Sequence, residues 1–291
     1  MNFRTDLALE RQEILGDEVH SSVKVDTEEK GKVKITRIEI LTKEAEEQLG
    51  KPKGRYITIE VPPFSSDGEI LDERLDFIKD EIRNLLPEKG TVLVVGLGNT
   101  SITPDALGPE SAGYILATRH ISEELAKSVG LENLRSVASV SPGVLGQTGI
   151  ETGEIIKGIV DRIKPSAVIT VDALASRNLS RLGCTVQMSD TGISPGSGVG
   201  NSRQKLDEET LGVKVISIGV PTVVDGATLA LDLIDKEKTK SFAVLPESEN
   251  MMVTPKEIDL LVKRASKLVG LAINCALQPE LDKEDVLSLV S

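Results

Sequence analysis

Residues 91–105 read Thr91-Val92-Leu93-Val94-Val95-Gly96-Leu97-Gly98-Asn99-Thr100-Ser101-Ile102-Thr103-Pro104-Asp105. An unbroken apolar run gives way to glycines, then to polar residues, then to a proline followed by an acid. A short run without polar alternation suits a strand covered on both faces, as in a parallel sheet. Runs of the same texture recur at residues 136–140, 167–171 and 213–219. Helical patterns lie among and beyond them. Ile155, Ile156, Ile159, Val160 and Ile163 form one apolar stripe, and Ile258, Leu261, Val262, Ala265, Leu268, Val269 and Ala272 form another. Thr254, Pro255 and Glu257 read as N-cap, first residue and capping box of the second helix. Strands alternating with helices give an α/β fold: a three-layer, doubly wound, mostly parallel sheet. In such sheets the site lies beyond the carboxyl ends of the strands.

Toward the N-terminus the texture differs. The first 50 residues are highly charged. In residues 33–41, Val33 and Ile35 share one alternation phase and Ile38 and Ile40 the other, which a β-bulge between them would reconcile. Residues 55–61 alternate cleanly, and Pro62-Pro63 ends them. Both segments read as extra antiparallel or edge strands.

Composition narrows the function. Aromatic residues make up 2% of 291 and Trp is absent, so the core is aliphatic. With a net charge of −12 and no Lys/Arg run, a nucleic-acid partner is not expected. An acidic surface is repelled by anionic membranes, and nothing approaches the roughly 20 apolar residues of a span. The first ten residues carry no apolar signal core, so the expected location is cytoplasmic. Cys184 and Cys275 read as cytosolic thiols, and no Cys/His spacing suits zinc.

Acids at strand ends are the candidate chemistry. Asp105 closes the loop after the first buried run, and Asp172 follows residues 167–171 directly. Either alone reads equally well as a helix-terminal acid. Together they would occupy one crevice, where two neighbouring carboxylates cannot both ionise easily and can act as acid and base on water. Asp225 reads as a helix cap, and Asp190 as turn chemistry before a Gly/Pro/Ser loop at residues 192–201. His20 and His120 lie at no strand end, which argues against a Ser-His-Asp or Cys-His engine. Cys184 reads as packing. The Gly96/Gly98 loop lacks the third glycine of a dinucleotide fingerprint and a phosphate-loop lysine.

The blocks Thr103-Pro104-Asp105-Ala106-Leu107-Gly108-Pro109, Val171-Asp172-Ala173-Leu174-Ala175, Ser189-Asp190-Thr191-Gly192-Ile193, Gly219-Val220-Pro221-Thr222-Val223-Val224-Asp225 and Val253-Thr254-Pro255-Lys256-Glu257 occur in this order. In them the chain resembles the germination protease family of spore-forming bacteria, nearly end to end. The resemblance implies a fold related to hydrogenase maturation endopeptidases. It implies an atypical aspartic peptidase acting on small acid-soluble spore proteins, with its essential acids at Asp105 and Asp172; no cofactor or metal is expected. It also implies a homotetramer of the spore core, made as a zymogen. The family's self-processing motif falls on Thr5-Asp6-Leu7-Ala8. That sets the cut between Asp6 and Leu7, residues 1–6 as pro-segment and residues 7–291 as a single endopeptidase domain. Nothing apolar is evident to hold that segment down, so it is expected to be loose and accessible. An acid before the cut calls for a cationic pocket, for which Arg177, Arg181, Arg203 and Lys205 are candidates. Two other readings stay open: a peptidase using the same acids to bind a hard cation, and a non-catalytic anion or nucleotide module built on the Gly98 loop.

Overall fold

The computed structural model describes residues 5–15, 22–66, 71–128, 133–196, 203–233 and 251–290. Its centre is a mixed sheet of β1 (Val23–Lys30), β2 (Val33–Ile40), β3 (Gly54–Glu60), β4 (Val92–Gly96), β5 (Val137–Val140), β6 (Ala167–Ser176), β7 (Thr185–Ser189), β8 (Lys214–Asp225) and β9 (Met252–Val253). The order is β1-β2-β3-β7-β8-β6-β4-β5, with β9 on β8. Strands β8, β6, β4 and β5 run parallel. The N-terminal β1, β2 and β3 join them antiparallel through β7. This is the α/β architecture expected from the sequence.

The apolar runs are unbroken because both faces are covered. Val92 and Val94 pack with the helices Glu73–Leu85, Leu107–Gly113 and Ile258–Leu277, while Leu93 and Val95 pack with Thr152–Ile163 and Glu208–Leu211. Both helical stripes read from the sequence face the sheet, Ile156 and Val160 on one side, Leu261 through Ala272 on the other.

Three local expectations are corrected. β2 carries no bulge: its register with β1 and β3 is continuous. Its two phases are both apolar because Val33 and Ile35 enter the main core while Ile38 and Ile40 enter a second cluster with Leu9, Ala45 and Tyr56. The helix Ile258–Leu277 begins without a side-chain cap, after a turn in which the Ile258 amide bonds the Pro255 carbonyl. Finally, β6 and β8 run several residues past their apolar cores. They stay paired to Ser176 and Val224 because the ladder skips Thr222 opposite Leu174/Ala175, which lets Pro221 sit in a strand. Among the described residues, no helix is long and apolar enough to cross a membrane.

Candidate active site

From β4 the chain moves outward to β5, whereas from β6 it moves the other way toward β8, so the loops at the carboxyl ends of the neighbouring strands β4 and β6 diverge and open a crevice between them. A cleft of about 520 Å³ lies there, and Asp6, Asp105, Asp172 and Arg203 all line it. The two acids paired in the sequence reading thus line one cleft, and the structure adds Asp6 to them.

Each acid is positioned by backbone. The β4–β6 ladder ends at Gly96 opposite Val171, so Asp172 is the first β6 residue beyond its shorter neighbour. Its Oδ1 accepts the Ala173 amide at 2.9 Å. Asp105 ends a 3-10 turn, Thr103–Asp105. Its carbonyl accepts the Asn99 amide at 3.0 Å, and Thr222 Oγ1 ties the preceding Pro104 carbonyl at 2.7 Å. Two glycines let this loop close. Gly98 has φ +120°, and a Cβ there would lie 2.0 Å from the Asp105 carbonyl oxygen. A Cβ on Gly108 would lie 2.2 Å from the Leu97 oxygen and 2.3 Å from that of Val171. The glycines serve close backbone approach, and carboxylates crowd the loop, which counts against a phosphate there.

The carboxyls differ in environment. Asp172 is buried, and that burial, with the negative charges of Asp105 and Asp6 close by, pushes its pKa well above the ordinary carboxylate value. Asp105 is half-buried, and its pKa is raised by burial against the opposing Asn99 backbone contact. Such a pair can hold one proton between unequal sites. Among the described residues, no group of three or more His, Cys, Asp or Glu side chains is placed to hold a metal ion.

The N-terminal segment is not loose. Thr5, Leu7, Ala8, Leu9 and Glu10 are buried. The Asp6 amide donates to the Ala175 carbonyl at 2.9 Å, and the Ala175 amide returns a bond to Asp6 Oδ2 at 2.9 Å. Lys51 Nζ donates to the Asp6 carbonyl at 2.9 Å. Glu10 then accepts the Arg177 and Asn178 amides at 2.7 and 2.9 Å and the Thr5 hydroxyl. The segment is held by burial of Leu7, Ala8 and Leu9, by backbone pairing with the end of β6 and by one buried carboxylate, and the last two do not show in an apolar pattern. Residues 1–4 of the expected pro-segment lie outside the described residues.

The other candidates separate. Arg203 reaches the cleft and lies 3.9 Å from Glu151. Lys205 lines an adjoining hollow, which also contains Asp6, and pairs with Asp207 at 2.7 Å. Arg181 is no pocket cation: it is buried against Glu10, Glu13 and Glu60. Arg177 contributes its amide to Glu10. Asp225 caps the next helix through the Thr228 amide at 2.9 Å, and Asp190 pairs with Arg55 at 2.8 Å. His120 is exposed, and His20 lies outside the described residues. Burial raises the thiol pKa of Cys184 and Cys275, which disfavours a reactive thiolate. Sequence reasoning missed Lys51, which follows the left-handed Gly50 at the end of the helix Lys43–Leu49 and reads as a surface lysine.

A family model described as "Germination protease" matches residues 5–237. A germination protease of Caldanaerobacter subterraneus subsp. tengcongensis is 45% identical, over 100% of this chain and 98% of its own length. Those of Clostridium perfringens and Priestia megaterium are 43% and 36% identical, over 98% and 97% of this chain and 98% and 95% of theirs. Among solved structures, a NiFe hydrogenase maturation protease, HycI from Thermococcus kodakarensis KOD1, matches with a TM-score of 0.37 and 18% identity, covering 66% of this chain and 98% of that one. With a family model across most of its length and relatives aligned end to end, the chain belongs to the germination protease family of peptidases.

Proposed function

We propose that this chain is an endopeptidase that cuts small acid-soluble spore proteins during germination, with Asp105 and Asp172 activating the attacking water. In the same reading it is a zymogen: residues 1–6 are a pro-segment, removed by the chain's own cut between Asp6 and Leu7 ahead of one catalytic domain. A homotetrameric assembly in the spore core belongs to this reading and rests on the family alone. The observation that carries the chemistry is that Asp6, the residue before the proposed cut, lines the same cleft as Asp105 and Asp172.

The two environments suggest the division of labour. Asp105, the more exposed acid, takes a proton from water as its oxygen adds to the Asp6 carbonyl carbon. Asp172, kept protonated by its surroundings, gives its proton to the Leu7 nitrogen as the C–N bond breaks. The products are a carboxylate at Asp6 and an amine at Leu7. The proton taken up by Asp105 then restores Asp172 through solvent. Asp105→Asn and Asp172→Asn, assayed on a purified small acid-soluble spore protein, are each expected to fold and to lose at least about 100-fold in rate, the lower end for general acid–base catalysis. Wild-type rates from either variant would refute the pair.

A further inference from the structure

In any hydrolysis of the Asp6–Leu7 bond, negative charge develops on the carbonyl oxygen of Asp6 as water adds to its carbon. In the division of labour above, neither acid serves that charge: ionised Asp105 repels it, and Asp172 holds its proton for the leaving amine. A donor must come from elsewhere. Lys51 is placed to supply it: its Nζ donates to the ground-state Asp6 carbonyl oxygen at 2.9 Å, and the oxyanion would form on that same atom.

We propose that Lys51 is the oxyanion-stabilising catalytic residue of this peptidase, for its own segment and for any substrate strand laid along the end of β6. The inference deepens the reading above and rests on the cut falling between Asp6 and Leu7. Asp6 is gripped at three points. Its amide bonds the Ala175 carbonyl, its carboxylate accepts the Ala175 amide, and its carbonyl accepts Lys51. The first two contacts fix the residue before the cut and select an acid there, so the third meets the reacting carbonyl in a set orientation. Asp6 lines the cleft holding Asp105 and Asp172 and also the adjoining hollow that holds Lys51. The lysine therefore approaches from the hollow and the acids from the cleft. The left-handed turn at Gly50, φ 61°, directs the chain under the segment. Burial, with a smaller contribution from Arg11, lowers the Lys51 pKa below the ordinary lysine value, and the nearby Asp6 carboxylate opposes that shift by favouring the ammonium. A substrate acid in the same place would do likewise.

The test is self-processing of the full chain, followed as the appearance of a Leu7 terminus by mass spectrometry, in the wild type, Lys51→Met and Lys51→Arg. Amide exchange of residues 5–10 in the unprocessed chain is measured beside it. Lys51→Met is expected to process 100- to 1,000-fold more slowly, the usual effect of removing one oxyanion donor, while Lys51→Arg keeps a donor and most of the rate. If residues 5–10 of Lys51→Met stay protected from exchange, the segment is docked most of the time and undocking cannot explain the lost rate. A Leu7 terminus forming at the wild-type rate in Lys51→Met overturns this inference alone. So does a rate loss accompanied by complete loss of protection, which would make Lys51 a mere anchor. Absence of a Leu7 terminus from the wild type, while the chain still cuts spore protein, overturns the proposed self-processing and this inference with it.

Discussion

Replacing Glu10 by alanine should release the N-terminal segment. Glu10 is 2% exposed, and its two carboxylate oxygens accept the Arg177 and Asn178 amides at 2.7 and 2.9 Å. Hydrogen bonds to a charged group contribute about 1.5–3 kcal/mol each, so the two together contribute about 3–6 kcal/mol to docking. The lower figure applies here, because once the segment lifts both amides regain water. A loss of about 3 kcal/mol multiplies the open population roughly 100-fold. Amide exchange at residues 5–10, read by mass spectrometry, should therefore accelerate about 100-fold in Glu10→Ala. It should accelerate less in Glu10→Gln, which keeps one acceptor oxygen but loses the second and the charge. The cleft occupied by Asp6 should open in parallel, so an added peptide should be cut faster by unprocessed Glu10→Ala than by the unprocessed wild type. Unchanged exchange in Glu10→Ala would refute the assignment of this carboxylate as the latch.

Asp172 gives a pH-dependent stability test. Its pKa in the fold is raised above the ordinary 3.8, so the unfolded chain gives up this proton first. Stability is therefore whole below that value and is lost as pH rises toward the folded pKa. Asp172→Asn should melt higher than the wild type near pH 7, with the gain vanishing near pH 3; an equal gain at both would contradict the raised pKa. Gly108→Ala places a methyl against the carbonyl oxygens of Leu97, just past the end of β4, and of Val171 in β6 and should cost about 3 kcal/mol or more in denaturant unfolding. A cost below about 1 kcal/mol would show that the loop can shift. Brief treatment with a small alkylating reagent should leave activity unchanged, because burial raises both thiol pKa values. Stoichiometric inactivation of folded protein would point to a cysteine enzyme.

Much of this was legible in the chain, and the rest was hidden for physical reasons. Buried parallel strands announce themselves because both faces are apolar, as Val92 to Val95 do. Asp105 and Asp172 were paired by the rule that crevices form at strand ends, not by any local signature of their own. β1 escaped notice because it is an edge strand whose residues after Val23 are mostly exposed and charged, which suits an edge that must not pair further. β2 misled because its two phases serve two separate clusters, a pattern identical in sequence to a bulge. Arg181 looked like a pocket cation, but three acids enclose it. Lys51 gave no signal at all: the role proposed for it depends on a contact 45 residues away in sequence with a backbone carbonyl, and a carbonyl is common to every residue.

The aspartate pair and its cut are tested most directly together, by incubating the full chain and its Asp172→Asn variant at mildly acid pH and reading the N-terminus by mass spectrometry. Acid pH keeps the proton on Asp172 that the leaving Leu7 amine requires. The expected result is a terminus beginning Leu7-Ala8-Leu9 in the wild type, with an intact N-terminus in Asp172→Asn. The same Leu7 terminus appearing at equal rate in both would contradict the role given to Asp172.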